Sequence, residues 1–328
     1  MTKPFRRRPL PLPARCLVGA WIHGVVAPMV YVFEGLGITE RVLRNAHAGQ
    51  QKRLAKRNPF KSYVPDEHDV IVATYAKSGT NWMMQIAHQL LFHGKGEFEH
   101  IHDVVPWPDS PPPLGKYAIP VEDPSVWMAS PEKKRVIKTH LNWEQIPYSE
   151  KARYIAVIRD PKDVFVSNYF FAKAIGGPAI PPLKTWYRMF VSESFLVGGS
   201  WAVNAAGYWA QRNRPNVLVL SFKSMKQDLA GTVRRVAEFL DVRVADETIE
   251  SVCAQAGFAY MKGIDSKFSV WKMTPWSSQG SMMRKGVQGG SSELLSGEQQ
   301  RHIDRYFTGE LKRLGCDLPY DEFCDLAP

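Results

Sequence analysis

Four short segments carry side chains suited to holding an anion and moving a group between oxygens. In the turn Ala76-Lys77-Ser78-Gly79-Thr80-Asn81, small residues and hydroxyls expose successive backbone N–H groups at the positive end of a helix. That arrangement favours an oxyanion such as phosphate, and Lys77 adds a mobile point charge. It is not a Walker A loop, which sets its lysine after a second glycine, whereas Lys77 precedes the only glycine of this turn. In Arg159-Asp160-Pro161-Lys162-Asp163 the proline is placed to open a helix, and Arg159 with Ser167, two turns further on, can reach an anion above a sheet edge. Met283-Arg284-Lys285-Gly286 sets two adjacent cations beside a glycine. Val136-Ile137-Lys138-Thr139-His140 ends an apolar run in Lys-Thr-His. Period-two geometry puts Lys138 and His140 on one face, where the histidine is a candidate base. Each segment also has a plainer reading: a capped helix with an exposed lysine, ion pairing inside RDPKD, a solvated loop tip, a structural histidine.

Positioning these groups takes strands that end where helices begin. Residues 70–75 (VIVATY) form a short β-branched run, and residues 81–92 (NWMMQIAHQLLF) have helical apolar spacing. The alternation returns at 153–158 (RYIAVI) before 161–171, and at 217–222 (VLVLSF) before 225–240. Such repetition implies an α/β fold, a mainly parallel central sheet flanked by helices on both faces. The Pro- or Gly-rich stretches 104–124 and 175–182 read as long surface loops.

With 328 residues, 45 % hydrophobic and 23 % charged, the chain can bury a large core, and disorder, collagen and coiled coil are excluded as global descriptions. Four scattered cysteines, Cys16, Cys253, Cys316 and Cys324, lack metal or disulfide spacing, which fits a reducing, cytoplasmic setting; no metal site is expected. The net charge of +10 is local: of 42 basic and 32 acidic residues, twelve and two lie within residues 1–61, leaving 30 of each in the body. The body needs no nucleic-acid partner.

The chain divides into a basic, apolar N-terminal extension (1–61) and a domain at 62–328. The extension opens with Arg6, Arg7 and Arg8 and then runs uncharged from Cys16 to Phe33. A central Gly-Val-Val-Ala-Pro is expected to weaken any helix there. Ile38, Val42, Leu43, Ala46 and Leu54 then recur at helical spacing among Arg41, Arg44, Lys52, Arg53, Lys56 and Arg57. Two readings stand: peripheral contact with an anionic membrane surface, or a helix packed on the domain. No Ala-x-Ala-like site suggests secretory cleavage.

In this order and context the four segments resemble the cytosolic-type sulfotransferases, which use 3′-phosphoadenosine 5′-phosphosulfate (PAPS). TYAKSGTNW at 74–82 is similar to the family's TYPKSGTTW phosphosulfate loop, and RDPKDVFVSNYFF at 159–171 to its 3′-phosphate segment. KTHL at 138–141 matches the catalytic strand end, and RKGVQG at 284–289 the C-terminal phosphate loop. The resemblance spans about residues 60–310 and implies the P-loop-nucleotide-kinase-like sulfotransferase fold. It further implies that Lys77, Ser78, Gly79, Thr80 and Asn81 hold the 5′-phosphosulfate, that Trp82 and Phe258 cover the adenine, and that Phe222 lies against the nucleotide. Arg159 and Ser167, with Arg284, Lys285 and Gly286 opposite, would take the 3′-phosphate; His140 would be the base and Lys138 would sit on the transferring group, Lys77 sharing the catalytic work. Sulfuryl carries less charge than phosphoryl, so lysines can stand in for a metal.

Departures are local. Ala76 replaces the loop proline, Phe222 a frequent tyrosine and Ala256 a threonine. Gly290-Ser291-Ser292 stands where the family has Asp-Trp-Lys, and no K-x-x-x-T-V-x-x-x-E dimerisation motif follows, so oligomeric state is not carried over. Trp107, Trp186, Tyr187, Met189, Phe190, Trp201, Trp271 and Trp276 suggest an apolar pocket for a hydroxylated small molecule, an aromatic or lipid-like alcohol. The rival classes are a P-loop-type nucleotide phosphotransferase or kinase, which lacks its Walker A lysine here, and a non-catalytic membrane-binding protein, which leaves Lys138 and His140 unexplained.

Overall fold

Strands β1 (Asp69–Thr74), β2 (Arg135–Thr139), β3 (Arg153–Ile158) and β4 (Val217–Ser221) pair in parallel in the order β2-β1-β3-β4. The computed structural model describes residues 10–110, 117–193, 195, 199–270, 274–275, 281–286 and 289–328. The chain leaves β1 towards β2 and leaves β3 towards β4, in opposite directions. A crevice therefore opens between the carboxyl ends of β1 and β3, where open α/β sheets bind ligands.

Alternation along the strands divides the core in two. Ile71, Ala73, Ile137, Tyr154 and Ala156 face the helices Pro161–Gly176, Leu183–Phe190, Trp201–Trp209 and Gly297–Arg313. Val70, Val72, Val136, Ile155 and Val157 face Thr80–Leu91, Leu229–Phe239 and Asp246–Ala256. Each fully buried aliphatic or aromatic side chain contributes roughly 1.5–3 kcal/mol, so covering both faces explains runs such as VIVA at 70–73, apolar at every position.

Several expectations need correcting. Trp186, Met189, Phe190 and Trp201 are buried at 4 %, 2 %, 2 % and 1 % exposure in the first core, and Tyr187 packs against it, so they line no pocket. Edge-to-face contacts such as Phe190–Phe307 at 5.4 Å and Trp201–Phe307 at 5.1 Å use those rings to join helices. Trp271 and Trp276 lie outside the described residues. The described parts of 104–124, residues 104–110 and 117–124, are not a surface loop: Val105, Tyr117, Ile119 and Val121 are buried. The stretch seals the open edge of β2, the Lys138 amide donating to the Pro106 carbonyl at 2.9 Å and the Arg135 guanidinium to the Val121 carbonyl at 2.6 Å. Within 175–182 the preceding helix continues to Gly176, followed by a 3-10 turn at Gly177–Ala179.

The N-terminal run is one continuous helix, Leu12–Gly35, its α-helical geometry interrupted where Gly-Val-Val-Ala-Pro is expected to weaken it. Its turn at Ile22–Val26 widens to π geometry just before Pro28, which absorbs the missing proline N–H and the ring clash. The basic helix Thr39–Arg57 follows, with Leu43 packed against the first core. Arg6, Arg7, Arg8 and the side chains of Leu54 and Arg57 lie outside what is described.

Candidate active site

The chain leaves β1 through Tyr75, and its next turn needs two left-handed residues, Lys77 at φ 71° and Gly79 at φ 99°. A Cβ at Gly79 would meet Phe222 Cδ2 at 2.9 Å, so glycine is required for both conformation and space. Gly79 is also the cap residue of helix Thr80–Leu91 and supplies no capping side chain, which leaves the first-turn amides for a ligand.

This turn borders a cavity of about 1530 Å³ above the β1/β3 crevice. Lys77, Gly79, Thr80, Asn81 and Trp82 line it; Ser78 does not, being fully buried beneath the turn with its hydroxyl unpartnered. Trp82 donates its indole N–H to the Ala256 carbonyl at 2.8 Å and stands edge-on to Phe222 at 5.4 Å.

Arg159, one residue past β3, reaches across the crevice and donates to the Lys77 carbonyl at 3.1 Å, lying 4.4 Å over the Phe222 ring. Its Nε is buried without a protein partner. The segment RDPKD divides between cavity and core. Arg159 faces the cavity with Ser167, while Lys162 turns inward to Asp160 at 3.2 Å and to Asp304. From the opposite wall come Phe258, Arg284, Lys285 and Gly286. Gly286, at φ 63°, lies so close to the Phe258 ring that a Cβ would come within 2.1 Å of it. Arg284 and Lys285 are both paired with Glu293, at 2.8 and 3.1 Å, so here the two cations share one carboxylate.

At the carboxyl end of β2, Lys138 within the strand and His140 just past it both reach the cavity, as the period-two spacing predicts. Trp107 stands between them, its ring 3.6 Å from Lys138 Nζ and edge-on to the imidazole at 5.7 Å. His140 Nδ1 lies 2.9 Å from the Thr74 carbonyl. A carbonyl only accepts, so Nδ1 carries the hydrogen and Nε2 is left as the acceptor. Burial, reinforced by Lys138, pushes the imidazole down to about 3. Burial likewise lowers Lys138 to about 7, Asp109 opposing, and Lys77 to about 8, with Arg159 adding to the shift. The site thus holds a neutral histidine and two lysines poised near neutrality.

Unspent donors at the crevice, namely uncapped amides and Arg159 Nε, fit a multiply charged anion. The volume exceeds the 300–1,000 Å³ usual for one small ligand, leaving room for nucleotide and acceptor together. Among the described residues no cluster of His, Cys, Asp or Glu could hold a metal ion.

Some wall residues escaped the sequence reading. Asp109 accepts the His140 amide at 2.9 Å, and Lys226 donates to the Gly286 carbonyl at 2.7 Å, bracing the Arg284 loop. Asp265 accepts the Met282 and Met283 amides, both at 2.9 Å, and so braces it from the other side. The basic helix adds Asn45, His47, Gln50 and Gln51. Their signal was present as NAHAGQQ, an uncharged polar interval among cations.

Residues 67–315 match the family described as Sulfotransferase domain, and the chain belongs to that family. It is a PAPS-dependent sulfotransferase, which sets aside the phosphotransferase and non-catalytic readings. Sulfotransferase 2A1 of Macaca fascicularis is 30 % identical over 267 residues, covering 80 % of this chain and 89 % of the relative. The 3-beta-hydroxysteroid sulfotransferase of Cavia porcellus is 28 % identical over 293 residues, covering 88 % and 92 %. Among solved structures, retinol dehydratase in complex with androsterone and inactive cofactor PAP shares the fold, with a TM-score of 0.65, 21 % identity and coverage of 79 % and 84 %.

Proposed function

We propose that the protein moves the sulfuryl group of PAPS to the hydroxyl of a hydrophobic acceptor, an aromatic or lipid-like alcohol, with His140 as general base, in the cytoplasm. The observation that carries this reading is the Thr74 carbonyl fixing the His140 tautomer, which turns an unprotonated Nε2 to the reacting hydroxyl beside Lys138. The co-substrate, when bound, supplies an electron-poor sulfuryl group for in-line transfer between oxygens. His140 takes the hydroxyl proton, a contribution of about 10²- to 10⁴-fold. Lys77 and Lys138 are preorganised donors beside the transferring group. Lys77, Gly79, Thr80 and Asn81 would hold the phosphosulfate end, with Ser78 buried beneath them, Trp82, Phe222 and Phe258 the adenine, and Arg159, Ser167, Arg284, Lys285 and Gly286 the 3′-phosphate. Leu141, Val166, Ile175, Val203 and Leu314 on the remaining wall favour an apolar acceptor, consistent with the hydroxysteroid named for a 28 % identical relative.

The test is His140→Gln, assayed with PAPS and a panel of steroid alcohols and phenols, alongside thermal stabilisation by 3′-phosphoadenosine 5′-phosphate (PAP). Expected is loss of turnover with the PAP-induced rise in Tm unchanged. A variant that keeps the wild-type rate would remove His140 from the mechanism.

A further inference from the structure

We propose that the helix Leu12–Gly35 lies along an anionic lipid surface, and that the basic helix behind it brings the cavity mouth to the lipid. The lipid-entry half of this inference rests on the apolar-acceptor reading above; the surface half does not.

The N-terminal helix is apolar on every side, yet the body covers only one. Val18, Gly19, Ile22, Val26, Val30 and Phe33 form the inner stripe, partly or fully buried. Leu17, Trp21, Val25, Met29, Val32 and Leu36, four or so residues apart on the outside, are exposed, Leu17 at 73 % and Trp21 at 60 %. A water-facing row of this kind is rare on soluble proteins. At 24 residues the helix is long enough to cross a bilayer, but its inner contacts argue that it lies flat. Arg15 donates to the Thr274 carbonyl at 3.4 Å near one end, and the Thr185 hydroxyl donates to Glu34 at 3.0 Å near the other. A helix fixed to the body at both ends would have to give up that packing to span.

Charge selects the occupant. The only acids of residues 1–61 are Glu34 and Glu40, and both turn to the body, Glu34 to Thr185 and Glu40 to Arg188. Arg41, Arg44, Lys52 and Lys56 of the following helix are exposed, and Arg6, Arg7 and Arg8 precede the apolar run. Among the described residues of this segment, solvent therefore meets an apolar row followed by exposed cations and no outward-turned acid, the complement of anionic headgroups over acyl chains. A second copy of the chain would set the same cations against each other across an isologous interface. The basic helix also lines the cavity through Asn45, His47 and Gln51. An alcohol dissolved in lipid would then reach His140 past one helix.

Flotation of the full chain with vesicles of equal phosphatidylcholine and phosphatidylserine, against phosphatidylcholine alone, tests the surface. Expected is flotation with the anionic vesicles only, weakening as salt rises, and lost in Leu17→Glu/Trp21→Glu and in Arg41→Glu/Arg44→Glu/Lys56→Glu. Retained stabilisation by PAP would show that both variants fold. The proposal is overturned if wild type stays soluble, if the variants float equally, if the bound protein resists salt and alkaline extraction as a spanning helix does, or if Leu17→Glu/Trp21→Glu converts a dimer to a monomer. An intact mass lacking this segment would overturn it too. For lipid entry, the double variant should turn over a vesicle-held steroid about tenfold more slowly than wild type and the dissolved steroid equally; equal rates on both overturn that half. Wild type inactive on either form strikes the acceptor reading, and flotation alone then decides the surface.

Discussion

The two parts of the cavity wall are built differently. The crevice part comes from contiguous motifs at strand ends: residues 76–82 after β1, 138–140 at the end of β2 and 159–167 after β3. Its geometry is held by backbone, by the left-handed turn at Gly79 and by the Arg159 bond to the Lys77 carbonyl. The remaining part is assembled from segments remote in sequence, including the basic helix, Trp107 and Asp109, and the Arg313–Glu193 pair at 2.6 Å. The end held by backbone is written in contiguous motifs, and the end assembled from remote segments is not.

If this division is right, damage at the crevice should strike nucleotide binding and damage on the basic-helix side should strike acceptor binding. Arg159→Ala should cause the largest loss, weakening PAP by about a hundredfold, since one to two charged hydrogen bonds of about 1.5–3 kcal/mol disappear; titration calorimetry would read it. Gly79→Ala comes next. Strain at φ 99° and the clash with Phe222 should cost about 1–3 kcal/mol, visible as a lowered Tm and a weaker PAP response.

The pH profile sharpens the same contrast. Lysine is charged below its pKa, so with Lys138 near 7 and Lys77 near 8 in the free enzyme, kcat/KM should fall as pH rises through this range. The slope should approach about tenfold per unit. With His140 near 3, protonation of the base should produce no acid limb around pH 6.5. A steep acid limb there would place a charged histidine at the site. The smallest effect is expected from Gln51→Ala, which removes the partner of His47 at 3.2 Å. It should raise the acceptor KM by about two- to fivefold, the weight of one exposed hydrogen bond, and leave PAP affinity unchanged. An equal change in PAP affinity would merge the two parts.

The acceptor tryptophans show why sequence reading thinned where it did. Trp186 and Trp201 are indistinguishable in composition from Trp107, yet the first two are core and the third stands over Lys138. Which face of a helix meets the sheet decides that, and burial rewards an aromatic ring equally in either place. Arg284 and Lys285 were legible as cations, but their shared partner Glu293 was not read as such. Asp109 carried no signal because it meets His140 only after the segment before β2 folds over the strand edge.

By itself, the sequence determined the parallel α/β layering, the strand ends and the order of the turns that line the cavity. These depend on period, on β-branched runs and on glycine at φ above zero, which are local properties of a chain. The tertiary structure alone decided the His140 tautomer, the depressed lysines and the cavity wall made by the basic helix. Hydrogen bonding to Thr74, desolvation and the approach of residues 45–51 to the strand ends all depend on contacts between segments that are far apart along the chain.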